Sequence, residues 1–157
     1  MGPNTTSGGY AGLGRLNCVA FRPTDNNTLY VGAASGGVWK STDGGMNWTP
    51  LGDDNAALGV SDIVVIKTNF DDIVYIATGD RDHSDTYSVG VLKSVDGGLT
   101  WNTTGLNWTQ NQYRLINRLL MDPSNNNVLY AATSNGVYKT TDAGVSWNQM
   151  TGTNFID

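Results

Sequence analysis

Apolar and polar positions along the chain fall into a pattern of very short strands. Three apolar runs, Cys18-Val19-Ala20-Phe21, Ile63-Val64-Val65-Ile66 and Leu119-Leu120-Met121, are each followed by a polar turn, at 23–27, 69–72 and 123–127. After each turn comes a second run built around a tyrosine: Thr28-Leu29-Tyr30-Val31, Ile73-Val74-Tyr75-Ile76 and Val128-Leu129-Tyr130-Ala131. A third run follows as Gly37-Val38-Trp39-Lys40, Gly90-Val91-Leu92-Lys93 and Gly136-Val137-Tyr138-Lys139. Short runs of β-branched and aromatic residues between clusters of Gly, Pro, Asn and Asp predict strands, not helices.

The third run leads into an octapeptide that recurs three times. It reads Ser41-Thr42-Asp43-Gly44-Gly45-Met46-Asn47-Trp48, then Ser94-Val95-Asp96-Gly97-Gly98-Leu99-Thr100-Trp101, then Thr140-Thr141-Asp142-Ala143-Gly144-Val145-Ser146-Trp147. The Asp carboxylate is placed to accept bonds from the N–H groups of its own turn. Gly45, Gly98 and Gly144 allow the positive φ of a tight hairpin, while the preceding glycine is replaced by Ala143 in the third copy. The Trp is placed to fold back over the hairpin and bury on the order of 150–250 Å². Ser41, Asp43, Gly45 and Trp48, Ser94, Asp96, Gly98 and Trp101, and Thr140, Asp142, Gly144 and Trp147 are therefore read as structural.

Each unit runs strand, turn, strand, loop, strand, hairpin, strand. Four short strands repeating about every 40–50 residues are the signature of a β-propeller blade. The expected architecture is all-β, with four-stranded antiparallel blades at 15–58, 59–113 and 114–153. A lead-in at 1–14 precedes them, and 154–157 looks like the start of a next blade. A closed propeller takes about 4–8 blades, so three make an incomplete one. The expected partners are the remaining blades of a longer chain, or further copies joined through the terminal blades.

Composition agrees with this pattern. The chain has 157 residues, 20 of them Gly, and its 14 acids are all Asp. Against nine Lys and Arg this gives a net charge of −5. Lack of Glu argues against exposed helices, and the acidic balance argues against nucleic acid as a partner. No apolar run has the length of a membrane span. The lone Cys18 supplies neither a disulfide framework nor a zinc site and reads as a small core residue.

The octapeptide S/T-x-D-x-G-x-x-W resembles the Asp-box, or BNR repeat, of sialidases, sortilin-type receptors, photosystem II assembly factors and the xyloglucan-active hydrolases of glycoside hydrolase family 74 (GH74). Leu29-Tyr30-Val31-Gly32-Ala33-Ala34-Ser35-Gly36-Gly37 and Ile76-Ala77-Thr78-Gly79 are most similar to the opening blades of GH74 propellers and their secreted Bacteroidetes relatives. The resemblance implies a propeller and an extracellular or cell-surface location. It also implies a catalytic Asp just before Gly36-Gly37, where this chain has Ala34; no catalytic residue is therefore assigned. The sialidase pattern requires a Glu, which the chain lacks.

In a propeller the loops between second and third strands, and between blades, share one side, the usual ligand face. Two insertions are expected there. The loop from Gly79 to Gly90 holds Asp80, Arg81, Asp82, His83, Asp85 and Tyr87. Its acids read either as a solvated loop with an internal Arg–Asp pair or as a calcium site at Asp80, Asp82 and Asp85, calcium taking hard oxygen ligands. No other metal or cofactor is expected. The segment from Leu106 to Arg114 is rich in aromatics and amides and suits stacking on sugar rings, unless Trp108 packs between blades instead. Tyr87, Trp108, Tyr113 and Arg114 are the candidate ligand patch, with Asp80, Asp82 and Asp85 beside it and Tyr10 and Arg15 at its border. Two functions are compatible with these residues. One is a non-catalytic recognition or scaffold module binding a glycan or a protein. The other is a fragment of a secreted xyloglucanase- or sialidase-like hydrolase whose catalytic groups lie largely elsewhere.

Overall fold

The computed structural model describes residues 15–82 and 86–151. Among them lie twelve strands and a single 3-10 turn at Gln110–Gln112. The first sheet holds β1 (Leu16–Arg22), β2 (Asp25–Ala33), β3 (Val38–Ser41) and β4 (Thr49–Leu51). The second holds β5 (Val60–Ile66), β6 (Ile73–Thr78), β7 (Gly90–Ser94) and β8 (Asn102–Asn107). The third holds β9 (Ile116–Asp122), β10 (Asn125–Thr133), β11 (Gly136–Thr140) and β12 (Asn148–Gln149). Each sheet is a four-stranded antiparallel meander in chain order. This is the all-β, incomplete propeller that the repeat predicts.

The sheets stack face to face with β1, β5 and β9 side by side along the inner edge. Register places Ala20, Tyr30 and Lys40 in one row across the first sheet. Val64, Tyr75 and Lys93 form the same row in the second, and Leu120, Tyr130 and Lys139 in the third. Because side chains alternate between faces, this row points toward the following blade, and the neighbouring rows point back. The core is accordingly two interfaces. Tyr30, Val38 and Leu51 meet Val60, Ile63, Val65 and Ile76 between the first two sheets. Tyr75, Ala77, Val91 and Leu106 meet Ile116, Leu119, Leu129 and Ala131 between the second and third.

Polar contacts fasten the same interfaces. The Tyr30 hydroxyl donates to the Gly97 carbonyl at 3.2 Å, and Lys40 reaches it at 3.5 Å while lying over the Tyr30 ring. One blade on, Tyr75 and Lys93 donate to the Ala143 carbonyl at 2.9 and 3.1 Å. The fourth residue of the second and third octapeptides thus presents its carbonyl to the Tyr–Lys pair of the blade before it. Arg22 adds an ion pair to the buried Asp72 at 2.8 Å.

The octapeptide hairpins share one hydrogen-bond pattern. Ser41 Oγ donates to Asp43 Oδ1 at 2.8 Å and accepts from Gly45 N at 2.9 Å, and Asp43 Oδ1 accepts from Asn47 N at 2.9 Å. Ser94, Asp96, Gly98 and Thr100 repeat it, as do Thr140, Asp142, Gly144 and Ser146. These donors favour the ionised carboxyl. The Asn47 backbone N–H leads in holding Asp43 down at about 2, the Thr100 hydroxyl leads for Asp96 at about 2, and the Ser146 hydroxyl for Asp142 at about 2.

The structure corrects local expectations. The turns at 23–27 and 123–127 are tighter than their composition suggests. Arg22 pairs with Asp25 and Asp122 with Asn125, so Asn26, Asn27, Asn126 and Asn127 belong to strands that carry an irregularity. Asp25 makes this possible by accepting from Asn27 N and the Thr28 hydroxyl. Leu106 and Asn107 likewise continue β8 instead of opening the insertion. The residue before the octapeptide's invariant glycine is also left-handed, at φ 72° for Gly44 and 69° for Gly97, and Ala143 is held there at 58°. Trp48 Nε1 donates to the Gly45 carbonyl at 2.9 Å, whereas the indole nitrogens of Trp101 and Trp147 are buried with no partner.

Candidate functional site

Loop-to-loop hydrogen bonds define the face opposite the octapeptides. Ala34 N donates to Arg15 O, Gly37 N to Leu58 O, Gly79 N to Gly59 O and Ser88 N to Arg114 O. The octapeptide turns instead bond to the first-to-second strand turns, as Gly44 N to Asn27 O and Gly97 N to Asp72 O. The two sets of connections therefore lie on opposite sides, and the candidate residues share one of them.

The segment after β8 is shaped locally. Trp108 N donates to Val89 O, the Gln112 side chain accepts from Thr109 N at 3.0 Å, and Tyr113 N closes the 3-10 turn onto Gln110 O at 3.1 Å. Tyr113 ends that turn in the left-handed region at φ 54°, an uncommon conformation for an aromatic residue. Its side chain is 68% exposed. The Tyr87 ring meets it edge-on with centroids 5.0 Å apart. Trp108 divides from this pair. It packs against the second core cluster and edge-on to Tyr138 at 6.3 Å, and the Arg114 guanidinium lies 5.5 Å from its ring centre. Trp108 is half-buried in this packing, whereas Tyr113 is exposed. Arg114 is half-buried, and its Nε is buried without a hydrogen-bond partner.

The acidic loop has a different centre from the expected one. Asp80 is 3% exposed. Its partner is Arg15, which pairs with Asp80 and also approaches Asp82 Oδ2 at 3.4 Å. Asn17 Nδ2 donates to Asp80 Oδ1 at 3.3 Å and to Val60 O at 3.1 Å. Arg81, the expected loop partner, lies 3.9 Å from Asp82 through Nε and donates from Nη2 to Asn17 O at 3.0 Å. Asp80 is thus committed to a guanidinium and an amide, and no group of three metal ligands forms among the described residues. Asp85, His83 and Tyr10 lie outside the described residues, so the third calcium ligand is not placed.

Deeper in the same end of the molecule is a group that the sequence reading passed over. Each inner strand has an irregularity near its start, between Leu16 and Cys18, between Val60 and Asp62, and between Ile116 and Arg118. Asp62 is buried there, accepts from Leu119 N at 2.8 Å and lies 3.7 Å from Arg118. Burial, and then the Asp62 charge, push the neighbouring Cys18 thiol up to about 12, which disfavours the thiolate. An Asp inside the apolar run Val60-Ser61-Asp62-Ile63-Val64 was the available signal. At the position where the GH74 resemblance places a catalytic Asp, half-buried Ala34 offers only its N–H to Arg15 O. An open cleft of about 430 Å³ between the second and third sheets lies on the octapeptide side, lined by Lys93, Asn102, Thr104, Ala143 and Val145.

Comparison with known proteins follows the same direction. The chain is 28% identical over 152 residues to a xyloglucanase from a Paenibacillus species, covering 90% of this chain and 15% of the relative. It is 30% identical over 159 residues to a xyloglucanase from Acetivibrio thermocellus, covering 94% of this chain and 18% of the relative. The crystal structure of an ancestral GH74 enzyme superposes with a TM-score of 0.72 at 25% identity, over 88% of this chain and 18% of the other. The chain is similar to part of a GH74 propeller. It spans less than a fifth of the length of these relatives, and no family model matches it. No helix among the described residues is long and apolar enough to cross a membrane.

Proposed function

We propose that this segment is a glycan-contacting, non-hydrolysing part of a secreted, Asp-box propeller of the GH74 type. Its proposed ligand is a xyloglucan-like β-glucan. The observation that carries the reading is Tyr113: an aromatic ring turned out to solvent by a left-handed backbone and braced edge-on by Tyr87. A flat exposed ring with amides beside it is the chemistry that stacks on a pyranose and bonds its hydroxyls. Likeness to xyloglucanases over nine-tenths of the chain supports the ligand class. Glycoside hydrolysis uses a pair of carboxyl groups across the scissile bond. In this segment Asp80 is tied to Arg15, Asp62 is tied to Leu119 N, and position 34 is Ala. The hydrolytic carboxyls of such an enzyme would come from other blades.

Affinity electrophoresis in gels containing xyloglucan tests this. The wild-type chain is expected to be retarded by xyloglucan and not by a charged, unrelated polysaccharide, and Tyr113→Ala is expected to migrate freely. Equal mobility in all gels would overturn the glycan reading. Release of reducing ends by the isolated chain would overturn the non-hydrolysing part.

A further inference from the structure

The chain has five arginines, and four of them have a carboxylate for their charge. Arg15 pairs with Asp80, Arg22 with Asp72, Arg81 with Asp82 and Arg118 with Asp62. Arg114 is the exception. Among the described residues its guanidinium joins no carboxylate and donates no hydrogen bond. A half-buried cation left in this state has donors to spare.

The side chain is nevertheless held. The Arg114 carbonyl accepts from Ser88 N at 2.8 Å, and Ser88 is fully buried. That bond ties together two adjacent pairs of residues, Tyr87-Ser88 and Tyr113-Arg114. The edge-on ring pair of Tyr87 and Tyr113 and the guanidinium therefore spring from one hydrogen-bonded corner on the loop face. The guanidinium lies over the Trp108 ring at 5.5 Å, and Trp108 in turn meets Tyr138 of the third blade. Stacking on an aromatic ring fixes a guanidinium while leaving its N–H fork open to acceptors. Of its three nitrogens only Nε is buried without a partner; the two Nη groups are not buried.

We propose that Arg114 is the hydrogen-bonding arm of the Tyr113 site and sets its selectivity. With a sugar ring on Tyr113, the Nη groups donate to two neighbouring hydroxyl oxygens of the same glycan. The inference rests on the glycan reading of Tyr113 and adds what stacking does not supply. A flat ring accepts many sugar faces, whereas a fixed fork requires two unhindered oxygens side by side. O-methylation leaves a face to stack on and crowds those oxygens.

Calorimetric titration with a xyloglucan oligosaccharide and with its O-methylated counterpart tests this. Arg114→Met keeps an apolar side chain on Trp108 and removes the fork; Arg114→Lys keeps the charge as a single point. Both are expected to show wild-type circular dichroism and to bind the unmodified oligosaccharide about tenfold more weakly. The wild type is expected to prefer the unmodified ligand by about tenfold, and Arg114→Met to bind the two alike. A merely structural Arg114 would leave that preference in place. Wild-type affinity in Arg114→Met, full rescue by Arg114→Lys, or a preference that survives Arg114→Met would each overturn the proposal. Binding lost in Tyr113→Ala and kept in both Arg114 variants would overturn it alone. No binding by the wild type would overturn the glycan reading and this inference with it.

Discussion

Substituting Gly98 by Ala tests whether blade stacking through the octapeptide glycine stabilises the chain. A Cβ added at Gly98 would meet Leu51 Cδ1 at 2.6 Å, and Leu51 is 6% exposed and hemmed in by the first core cluster. A Cβ added at Gly45 would meet only Trp48 Cζ2, at 3.5 Å. Backbone strain is shared, with φ at 99° and 91°, and costs about 1–2 kcal/mol at either site. The difference between the two variants is therefore the overpacking of Leu51, about 1–3 kcal/mol. Urea unfolding followed by tryptophan fluorescence, at protein concentrations low enough to keep copies apart, reads both losses directly. Gly45→Ala should lose about 1–2 kcal/mol and Gly98→Ala about 2–5 kcal/mol. In thermal unfolding the gap corresponds to roughly 2–4 °C for each kcal/mol in a chain of this size. Adding Leu51→Ala to Gly98→Ala should recover part of the excess, since the two side chains share one space. Equal losses at the two glycines, or strict additivity with Leu51→Ala, would refute the reasoning.

Ala143→Gly relieves a left-handed alanine and should stabilise by about 0.5–1 kcal/mol, the strain removed less the added freedom of the unfolded chain; a loss in urea unfolding would contradict it. Asp43, Asp96 and Asp142 are held at about 2 when folded, below the ordinary 3.8. A depressed folded pKa contributes stability that is present above the unfolded value and lost as pH falls through the folded one. The urea midpoint should therefore be steady above pH 3.8 and fall toward about pH 2, and Asp96→Asn should flatten that fall. Arg15→Ala leaves the buried Asp80 without its cation and should cost about 2–3 kcal/mol, more than Asp80→Asn, which leaves an arginine free to reach water; the reverse order in urea unfolding would contradict that assignment.

The repeat made most of the fold legible. A turn motif whose Asp, Gly and Trp have local jobs repeats at blade spacing, and the strands between follow from alternation and turn chemistry. What escaped depends on contacts between distant segments. Nothing local in Arg15 marks it as the partner of Asp80, which reaches it across 65 residues; Arg81, next door in sequence, was the natural expectation. Trp108 carries equal local signals for stacking on a ligand and for packing, and its contact with Tyr138, thirty residues on, is not legible from either. The octapeptide's fourth position looked dispensable because Ala143 occupies it, yet the backbone is left-handed there in all three copies. Its constraint is shown only by φ, and its purpose by the carbonyl that Tyr75 and Lys93 hold. Asp62 was visible as a charge within an apolar strand, but its partners, Leu119 and Arg118, come from the next blade.

Calorimetric titration of the chain with a xyloglucan oligosaccharide tests the glycan-contact claim most directly. The account predicts saturable binding that Tyr113→Ala weakens by at least about tenfold, a loss of roughly 1.4 kcal/mol consistent with removing one stacked ring. Gly45→Ala, on the opposite side of the sheets, should bind as wild type does. Absence of binding heat, or equal binding by Tyr113→Ala, would contradict it.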